Sequence, residues 1–415
     1  MPSSIPETTQ SAPLTVLIIG GGLSGLTLAH ELTRLQSTTA AGSSSSSSLK
    51  WHLVESQNYL GGRIKNDEAT NRIDMGGAWI WPSQHKIHSL VNGLKLGTIA
   101  QRDAQDGRVR ICNGAARIID GLAAGLNGEC VTLSTAAISV ERMNHVVKVV
   151  LLQQSTETNV HQQHHMVYTK HLVWTAPPQM TLAPYIHWNP PLSDSKIMAM
   201  KQCNTWMASV TKLSFIYDRK YWDVQWIMEM KRGIYFYGDA EAFDIYDACI
   251  EDCSDNHADK KEEEGNDGNI YAFTLFALVN WDQQESSTPT NDDGIANRIM
   301  GQLHSIASSS RMISQSSTTS KWMTQYNSYS IQHWPQVSSI SHEAHPTSVG
   351  SHPRPNPVLS ESEWKSSPND SNGEERRGCM VHFAGTESDL YSPGLMEGAV
   401  GSAFRVVEEM KRYLE

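Results

Sequence analysis

The sequence LTVLIIGGGLSGLTLAHELTRLQ, residues 14–36, predicts a strand, a glycine turn and a helix in direct succession. The apolar run LTVLII is typical of a strand that is buried on both faces. After the glycines, Leu28, Leu32 and Leu35 recur at the spacing of one helical face. The stretch therefore indicates the start of a βαβ unit, in which a buried strand runs directly into a helix.

The glycine turn has the pattern Gly20-x-Gly22-x-x-Gly25. The first glycine permits a tight turn, the second lets the backbone approach a pyrophosphate, and the third lets the helix pack closely on the strand. The N–H groups at the start of the helix, around Leu23 and Ser24, then point at phosphate oxygens. This context favours a dinucleotide site over the alternative, an ordinary βαβ unit with a glycine-rich turn.

A second apolar strand, KWHLVES at 50–56, ends in Glu55 and Ser56. An acid at this position of a dinucleotide site accepts hydrogen bonds from ribose hydroxyls. The preceding run AGSSSSSS (41–48) predicts a flexible loop, which accounts for the long separation between the glycines and the acid. We therefore expect Glu55 to bind the ribose.

Length, charge and cysteine content limit the class of protein. A chain of 415 residues is too long for one ordinary core, and its net charge of −11 disfavours a nucleic-acid or anionic membrane partner. The sequence shows no membrane-spanning run, no secretory signal and no framework spacing of its six cysteines. We expect a soluble, cytoplasmic protein without a membrane anchor, and the oligomeric state stays open.

Further elements follow from apolar patterning. The segment ending in MVHFAG (380–385) predicts a strand, a short turn and then a helix that opens at PGLMEGAV (393–400). Segments rich in charge or in Ser, Pro and His, at 251–269 and 336–378, predict loops. Apolar patterning also predicts strands in 131–152, 165–178, 205–218 and 270–281, and a helix in 292–307.

Several separate motifs resemble one family in the same order along the chain. They are VLIIGGGLSGLTLAHEL, LVESQNYLGGRI, IDMGGAWIWPSQHKIHSLVNGLKLG, NGAARIIDGLAAGL, HLVWTAPPQMTLAPYIHWNPPL, TWMASVTKLSFIYD and VHFAGTESDLYSPGLMEGAVGSAFRVVEEM. Together they resemble the flavin-containing amine oxidase family, which includes monoamine and polyamine oxidases. The resemblance runs from about residue 14 to the C-terminus and omits the two loops.

The resemblance implies a mixed α/β (α+β) fold. A Rossmann-like FAD-binding domain of the glutathione-reductase and amine-oxidase type would be interleaved with a smaller, truncated substrate domain built on a mixed β-sheet. The implied segments are a disordered N-terminus (1–13), FAD-binding parts (14–80, 113–190 and 378–415) and substrate-domain parts (81–112 and 191–377, with loops at 251–269 and 336–377).

The resemblance also implies one FAD, held without a covalent bond because HWPQVSSISH contains no cysteine. Ala137 would meet the adenine, Glu387 the ribityl or phosphate region, and the helix after Gly394 the flavin pyrimidine edge, where its dipole stabilises negative charge. For Arg63 alone, a plain turn with a surface arginine stays an alternative. The remaining implied flavin contacts are Gly62, Arg63, Gly76, Gly77, Ala78, Trp79, Leu395, Met396 and Ala399.

Lys212 matches the family's lysine that holds a water beside flavin N5, although a strand lysine facing solvent is the common alternative. The implied reaction transfers hydride from the carbon next to an amine nitrogen to flavin N5. The imine hydrolyses, and dioxygen reoxidises the flavin to give hydrogen peroxide. The implied partners are therefore a small-molecule amine and O2.

Two departures from the family leave the substrate open. Only about fifteen residues separate LVNGLKLG from NGAAR, where the family has a long helical block. Leu395 stands where an aromatic residue is common, so Tyr391, or Trp79 with Trp81, are alternative aromatic walls of a substrate site. The same fold could instead oxidise a non-amine, for example by desaturation, or bind flavin with little turnover. No metal site is expected at the histidines of 161–165.

Overall fold

The computed structural model describes residues 4–40, 49–154, 163–237, 241–251, 253, 268–279, 291–309, 321–337, 352–364 and 380–414. The elements below belong to these ranges. Most of the charged loop at 251–269 lies outside them, as does much of the loop at 336–377.

Strands and helices are interspersed along the described part of the chain. The strands are β1 (Leu14–Ile19), β2 (Trp51–Val54), β3 (Trp79–Ile80), β4 (Thr98–Ala100), β5 (Val109–Ile111), β6 (Val131–Thr132), β7 (Thr135–Met143), β8 (Val146–Gln153), β9 (Gln163–Trp174), β10 (His187–Asn189), β11 (Thr211–Tyr217), β12 (Ala242–Asp247), β13 (Tyr271–Ala277), β14 (Ser328–His333) and β15 (Met380–Phe383). The helices are α1 (Leu23–Ala40), α2 (His85–Gly93), α3 (Ala116–Ala124), α4 (Asp194–Gln202), α5 (Val224–Tyr237), α6 (Asp292–Ser309), α7 (Pro357–Ser360) and α8 (Met396–Leu414).

The largest sheet has the strand order β10-β7-β8-β9-β1-β2-β6, and β15 also pairs with β9. Strands β15, β9, β1, β2 and β6 run parallel, whereas β8 is antiparallel to both β7 and β9. The carboxyl ends of β1, β2, β9 and β15 therefore meet at one edge of the sheet. In open α/β sheets a crevice outside the carboxyl ends of the strands is the usual ligand site.

Both faces of this sheet are covered, which explains the continuous apolar run of β1. On one face, Val16 and Ile18 pack with helices α1, α3 and α8; on the other, Leu17 packs with β7, β8 and α4. The expected Rossmann-like fold is confirmed by this arrangement and by the strand–turn–helix at 14–40.

The second sheet has the order β12-β13-β11-β14, with helices α5 and α6 packed on one face. All of its described pairings are antiparallel, whereas we expected a mixed sheet. The helix α5 was not predicted. Trp222, Trp226, Met230 and Ile234 lie four residues apart, and this spacing places them together in the core against β13.

A small three-stranded sheet, β3-β5-β4, occupies the region where the family's long helical block is absent. Its strands are antiparallel and short. The sheet places Trp79, at the start of β3, beside Arg110 of β5. It is therefore the element that brings residues of 98–111 next to the GGAW turn, residues 76–79.

Two segments expected to be disordered or irregular contact the fold where the structure describes them. In the N-terminal segment, the backbone N–H of Tyr168 donates to Oγ1 of Thr8 at 2.8 Å, and Ile5 packs against the core. In the C-terminal loop, α7 is capped by Asn356 and its Leu359 is buried. His164 and His165 belong to β9.

None of the helices in the described ranges has the length and apolarity that a bilayer-spanning segment requires.

Candidate functional site

A cavity of about 650 Å³ lies at the carboxyl ends of the parallel strands, a volume within the range of small-molecule and cofactor sites. Its lining comes from sequence segments that are far apart. Those residues include Gly20, Gly22, Leu23, Ser24, Glu55, Ser56, Gly62, Arg63, Gly76, Gly77, Ala78, Trp79, Trp81, Arg108, Ala137, Trp174, Tyr185, Trp206, Phe276, His352, Gly394, Leu395, Met396 and Ala399.

The glycine turn between β1 and α1 is compact for steric reasons. Gly20 has φ +107°, and a Cβ on it would lie 2.3 Å from Oγ1 of Thr175. A Cβ on Gly25 would lie 2.0 Å from the carbonyl oxygen of Gly20. At Gly22, by contrast, the nearest atom to an added Cβ is the carbonyl oxygen of Gly61 at 3.9 Å, an ordinary contact, so the fold itself would tolerate a side chain here. Gly20 and Gly25 are needed by the fold, whereas Gly22 leaves room for a ligand.

Glu55 lines the cavity and also fixes the turn. Its Oε2 accepts a hydrogen bond of 2.6 Å from the N–H of Gly21, and its Oε1 accepts from the N–H of Gln57 at 2.8 Å and from Ser56 Oγ at 3.0 Å. A carboxylate has about four lone-pair positions, so capacity for a further donor remains. The acid therefore joins the ends of β1 and β2 at the cavity.

Arg63 and Glu387 form a bidentate ion pair, with Nη1–Oε1 at 2.6 Å and Nη2–Oε2 at 3.0 Å. Only 3% of the Glu387 side chain is exposed, whereas Arg63 reaches the cavity. Two parallel hydrogen bonds fix the guanidinium plane. The pair connects the turn after β2 with the segment after β15 and neutralises the arginine.

The GGAW turn lies against the start of α8. A Cβ on Gly77 would be 3.7 Å from Cγ of Met396, and Gly394 has φ +82° with His352 and Pro353 packed against it. Oγ1 of Thr386 donates to the carbonyl oxygen of Leu395 at 2.7 Å. The N-terminal end of α8 therefore faces the same part of the cavity as the turn.

Lys212 is fully buried and lies behind the GGAW turn rather than in the cavity wall. Its Nζ donates to the carbonyl oxygen of Gly76 at 2.9 Å and lies 5.0 Å and 5.2 Å from the ring centroids of Phe276 and Tyr246. Burial lowers the pKa of Lys212 to about 7, although the charge of Asp74 opposes this effect. The lysine contacts the site through Gly76.

Asp74 is a buried acid that the sequence did not single out. Its Oδ1 accepts from the N–H of Ala115 at 2.6 Å, while its Oδ2 has no hydrogen-bond partner among the described residues. Burial raises the pKa of Asp74, and the charges of Lys212 and Arg110 act against that rise. Asp74 and Lys212 are therefore a coupled buried pair beneath the turn.

An aromatic wall closes the cavity beside the GGAW turn. Trp79 packs edge-on against Tyr246, with centroids 4.9 Å apart, and lies 6.3 Å from Trp81. The guanidinium of Arg108 lies 4.7 Å from the centroid of Trp79 and 5.5 Å from that of Trp81. We call Trp79, Trp81 and Arg108 the tryptophan end of the cavity.

Most predicted site residues lie in the cavity wall, and four do not. Gly25 packs inside the turn, Glu387 lies behind Arg63, and Lys212 lies behind Gly76. Tyr391 is 87% exposed and does not line the cavity, so the expectation that it forms an aromatic wall is not met. Trp81 does line the cavity.

Sequence reasoning missed several lining residues, including Arg108, Trp174, Tyr185, Trp206, Phe276 and His352. Trp206 and His352 stack with centroids 4.3 Å apart, although they are separated by almost 150 positions. No local motif marks such residues. Trp174 is the partial exception, because it ends a predicted strand whose carboxyl end must reach the ligand edge.

The residues present fit a flavin dinucleotide. The open face of Gly22 and the first turn of α1, whose N–H groups lack intrahelical partners, suit a pyrophosphate. Glu55 supplies an acceptor next to them. The same cavity continues to the GGAW turn and the start of α8, which suits a flat polar ring system.

Comparison with protein families gives two matches. Residues 93–411, more than half of the chain, match the family described as flavin containing amine oxidoreductase. Residues 18–94 match the NAD(P)-binding Rossmann-like domain. Comparison with curated protein sequences gives no match.

Among solved structures, the chain is similar to wild-type putrescine oxidase bound to putrescine, with a TM-score of 0.59, 13% identity and coverage of 96% of this chain and 99% of that one. It is also similar to cyclohexylamine oxidase from Brevibacterium oxydans, with a TM-score of 0.61, 13% identity and coverage of 96% and 100%. At 13% identity, the similarity to these two structures shows a shared fold and nothing more specific.

Proposed function

The chain belongs to the family of flavin-containing amine oxidoreductases, and from this membership we propose that it oxidises the C–N bond of a small-molecule amine with a bound FAD. The observation that carries the proposal is the continuity of one cavity from Gly22 and Glu55 to the GGAW turn and Met396. A cavity lined by both regions suits both the dinucleotide part and the ring system of FAD. FAD, when bound, would supply the acceptor of a hydride at its N5 position.

We assign the binding of FAD to the lining residues in three groups. The N-terminus of α1 at Gly22, Leu23 and Ser24 would hold the pyrophosphate, Glu55 the ribose and Ala137 the adenine. Arg63, fixed by Glu387, and the GGAW turn would line the flavin. The start of α8, from Gly394 to Ala399, would stabilise negative charge on the reduced ring through the helix dipole. Among the described lining residues there is no cysteine to form a thioether, which supports non-covalent binding.

The protein's part in catalysis is to orient the amine and to place one buried donor. Lys212 has three N–H donors, of which Gly76 takes one, so it can hold a water at the turn that would face flavin N5. With FAD bound, the amine carbon would give a hydride to flavin N5 and the amine nitrogen would release a proton, which leaves an imine. Water would hydrolyse the imine to an aldehyde or ketone and ammonia or a smaller amine, and O2 would take up the two electrons and two protons to give H2O2.

Leu395 favours a second candidate. It presents an aliphatic side chain to the cavity beside the GGAW turn, and an aliphatic group offers no π-face to an ammonium ion. Dehydrogenation of a non-amine substrate would use the same cavity without that contact. Membership of the amine oxidoreductase family nevertheless supports the amine.

Product analysis tests both the reaction and the cofactor. The purified protein is denatured and centrifuged, and its flavin is identified by mass spectrometry; FAD in the supernatant agrees with the proposal, and flavin attached to peptide contradicts it. The intact protein is then supplied with single amines and oxygen. We expect one H2O2 and one carbonyl product, an aldehyde or a ketone, for each amine consumed, whereas a carbon–carbon double bond without a carbonyl product would establish the second candidate.

A further inference from the structure

Arg108 places a guanidinium group in the cavity wall. None of the FAD contacts assigned above involves this group. Arg108 precedes β5, lines the cavity, and lies with its guanidinium over the rings of Trp79 and Trp81. The two cation–π contacts hold the guanidinium in one place, because both rings are themselves fixed. Nε1 of Trp79 donates to Oε1 of Gln101 at 3.1 Å, and Nε1 of Trp81 donates to Oδ2 of Asp106 at 2.8 Å.

The hydrogen bonding of Arg108 leaves one edge of the guanidinium available. Its Nε donates to Oδ1 of Asp106 at 2.9 Å. Its Nη1 and Nη2 groups donate to none of the residues that the structure describes. Asp106 is 42% exposed, so water weakens its attraction for the arginine. Asp244 also interacts electrostatically with Arg108, but its Oδ1 accepts from the N–H of Ile245.

The other charged groups of the cavity wall differ from Arg108. Arg63 is neutralised by its bidentate pair with Glu387. Glu55 is the one carboxylate among the described lining residues, and it lies at the glycine turn with three donors already on it. The tryptophan end therefore has an uncommitted guanidinium edge and no lining carboxylate.

This charge distribution discriminates between classes of amine. A diamine would bring a second ammonium group towards Arg108, and two cations in a partly desolvated cavity repel one another. A carboxylate would accept two parallel hydrogen bonds from Nη1 and Nη2, the arrangement that guanidinium groups favour.

We propose that Arg108 is an anion subsite at the tryptophan end and that the preferred amine carries a carboxylate, as an amino acid does. This inference rests on the proposed amine oxidation and specifies its substrate class. Arg108 would fix the carboxylate, and the adjoining part of the cavity, lined by Gly76, Gly77 and Leu395, would hold the carbon that bears the amine.

Matched compounds test the subsite separately from the reaction. The FAD-loaded protein is titrated by calorimetry with 3-phenylpropanoate, which has the carboxylate but no amine. We expect binding that weakens about tenfold or more in Arg108→Gln and less in Arg108→Lys. The control is Arg102→Gln, an exposed arginine on the same loop, which should leave binding unchanged. Thermal unfolding and flavin content confirm that each variant is folded.

Turnover is then compared in pairs that differ only by the carboxylate: phenylalanine with 2-phenylethylamine, leucine with 3-methylbutylamine, and lysine with 1,5-diaminopentane. We expect kcat/KM to favour the amino acid in at least one pair, and Arg108→Gln to reduce that preference about tenfold. Preference for the carboxylate-free amine in every pair, or a preference that Arg108→Gln leaves unchanged, overturns the subsite. Arg108-dependent binding of 3-phenylpropanoate without oxidation of any amine supports the subsite and refutes the proposed reaction. Absence of carboxylate binding at millimolar concentration refutes the subsite.

Discussion

The amine of Lys212 donates a hydrogen bond to the carbonyl oxygen of Gly76 at 2.9 Å, so a fully buried lysine holds the turn that lines the cavity. The bond joins β11 of the second sheet to the turn before β3 of the small sheet. Asp74, two residues before Gly76, interacts with the same lysine. The Lys212 side chain therefore has two roles: it supports the cavity wall at Gly76, and it compensates the charge of the buried Asp74.

Replacement of Lys212 by Met should lower both stability and activity. The variant loses the bond to Gly76 and one of the two cations that act on Asp74, so we expect the free energy of unfolding to fall by about 2 kcal/mol. Flavin reduction or reoxidation should slow while FAD stays bound. Chemical denaturation and stopped-flow absorbance measure the two effects.

The double variant with Asp74→Asn provides the control for this prediction. Because the two groups interact, the loss in the double variant should be smaller than the sum of the two single losses. Additive losses would mean that Asp74 and Lys212 act independently, and unchanged flavin kinetics in Lys212→Met would remove the lysine from the reaction.

The lowered pKa of Lys212 predicts how stability changes with pH. The pKa is about 7 in the folded chain, against 10.5 for an ordinary lysine. Between these values the unfolded chain binds a proton that the folded chain does not, so the free energy of unfolding increases as pH rises through this interval. Below pH 7 both states are charged and the cost of burying the charge is fully present.

Comparison with Lys212→Met isolates this effect from other titrating groups. Between pH 7.5 and 8.5 the wild type should gain about 1 kcal/mol of stability relative to the variant. Urea denaturation at several pH values measures the difference, and a difference that does not vary with pH would show that the lysine keeps its ordinary pKa.

Removal of the arginine in the Arg63–Glu387 pair should destabilise the protein strongly. Arg63→Ala leaves a carboxylate with a 3% exposed side chain and no bidentate partner, at a cost of about 3 kcal/mol. Arg63→Lys keeps the charge but loses the second parallel bond, so an intermediate loss is expected. Denaturation of the flavin-free protein measures the structural effect, and equal stability of both variants and the wild type would contradict it.

Two glycines of one turn should separate ligand binding from folding. Gly22→Ala adds a methyl group at the cavity wall without a steric clash, so we expect normal thermal stability but reduced FAD content. Gly25→Ala places a Cβ 2.0 Å from the carbonyl oxygen of Gly20, so the variant should be unstable. Flavin-to-protein ratio and melting temperature are the readouts. Full FAD content in Gly22→Ala would argue against a pyrophosphate at this turn.

The local parts of the fold could be predicted from sequence. The strand LTVLII, the helix after it, the strand at 380–383 and the helix in 292–307 are all confirmed, because each has its own apolar period or glycine signal. The antiparallel pairing of the second sheet and the position of the small sheet depend on contacts between distant segments. Residue patterns within one segment do not carry that information.

The residues of the candidate site likewise fall into those that a local motif predicts and those that only tertiary packing brings to the cavity. Gly22, Glu55 and Arg63 lie in motifs, and the structure places them in the cavity wall. The role of Lys212 stays a prediction; its full burial and its bond to Gly76 could not be read from the sequence, because the burial of an amine depends on the elements packed around it. Arg108 and His352 had no local signal; both reach the cavity only through tertiary packing.

Anaerobic titration of the purified protein with amines tests the central claim most directly. The protein should show the absorption of bound oxidised flavin, and a substrate amine, with or without a carboxylate, should bleach it without oxygen; admitting air should restore the colour with release of H2O2. A protein that binds no flavin after reconstitution with FAD, or a flavin that no amine of either class reduces, would contradict the account.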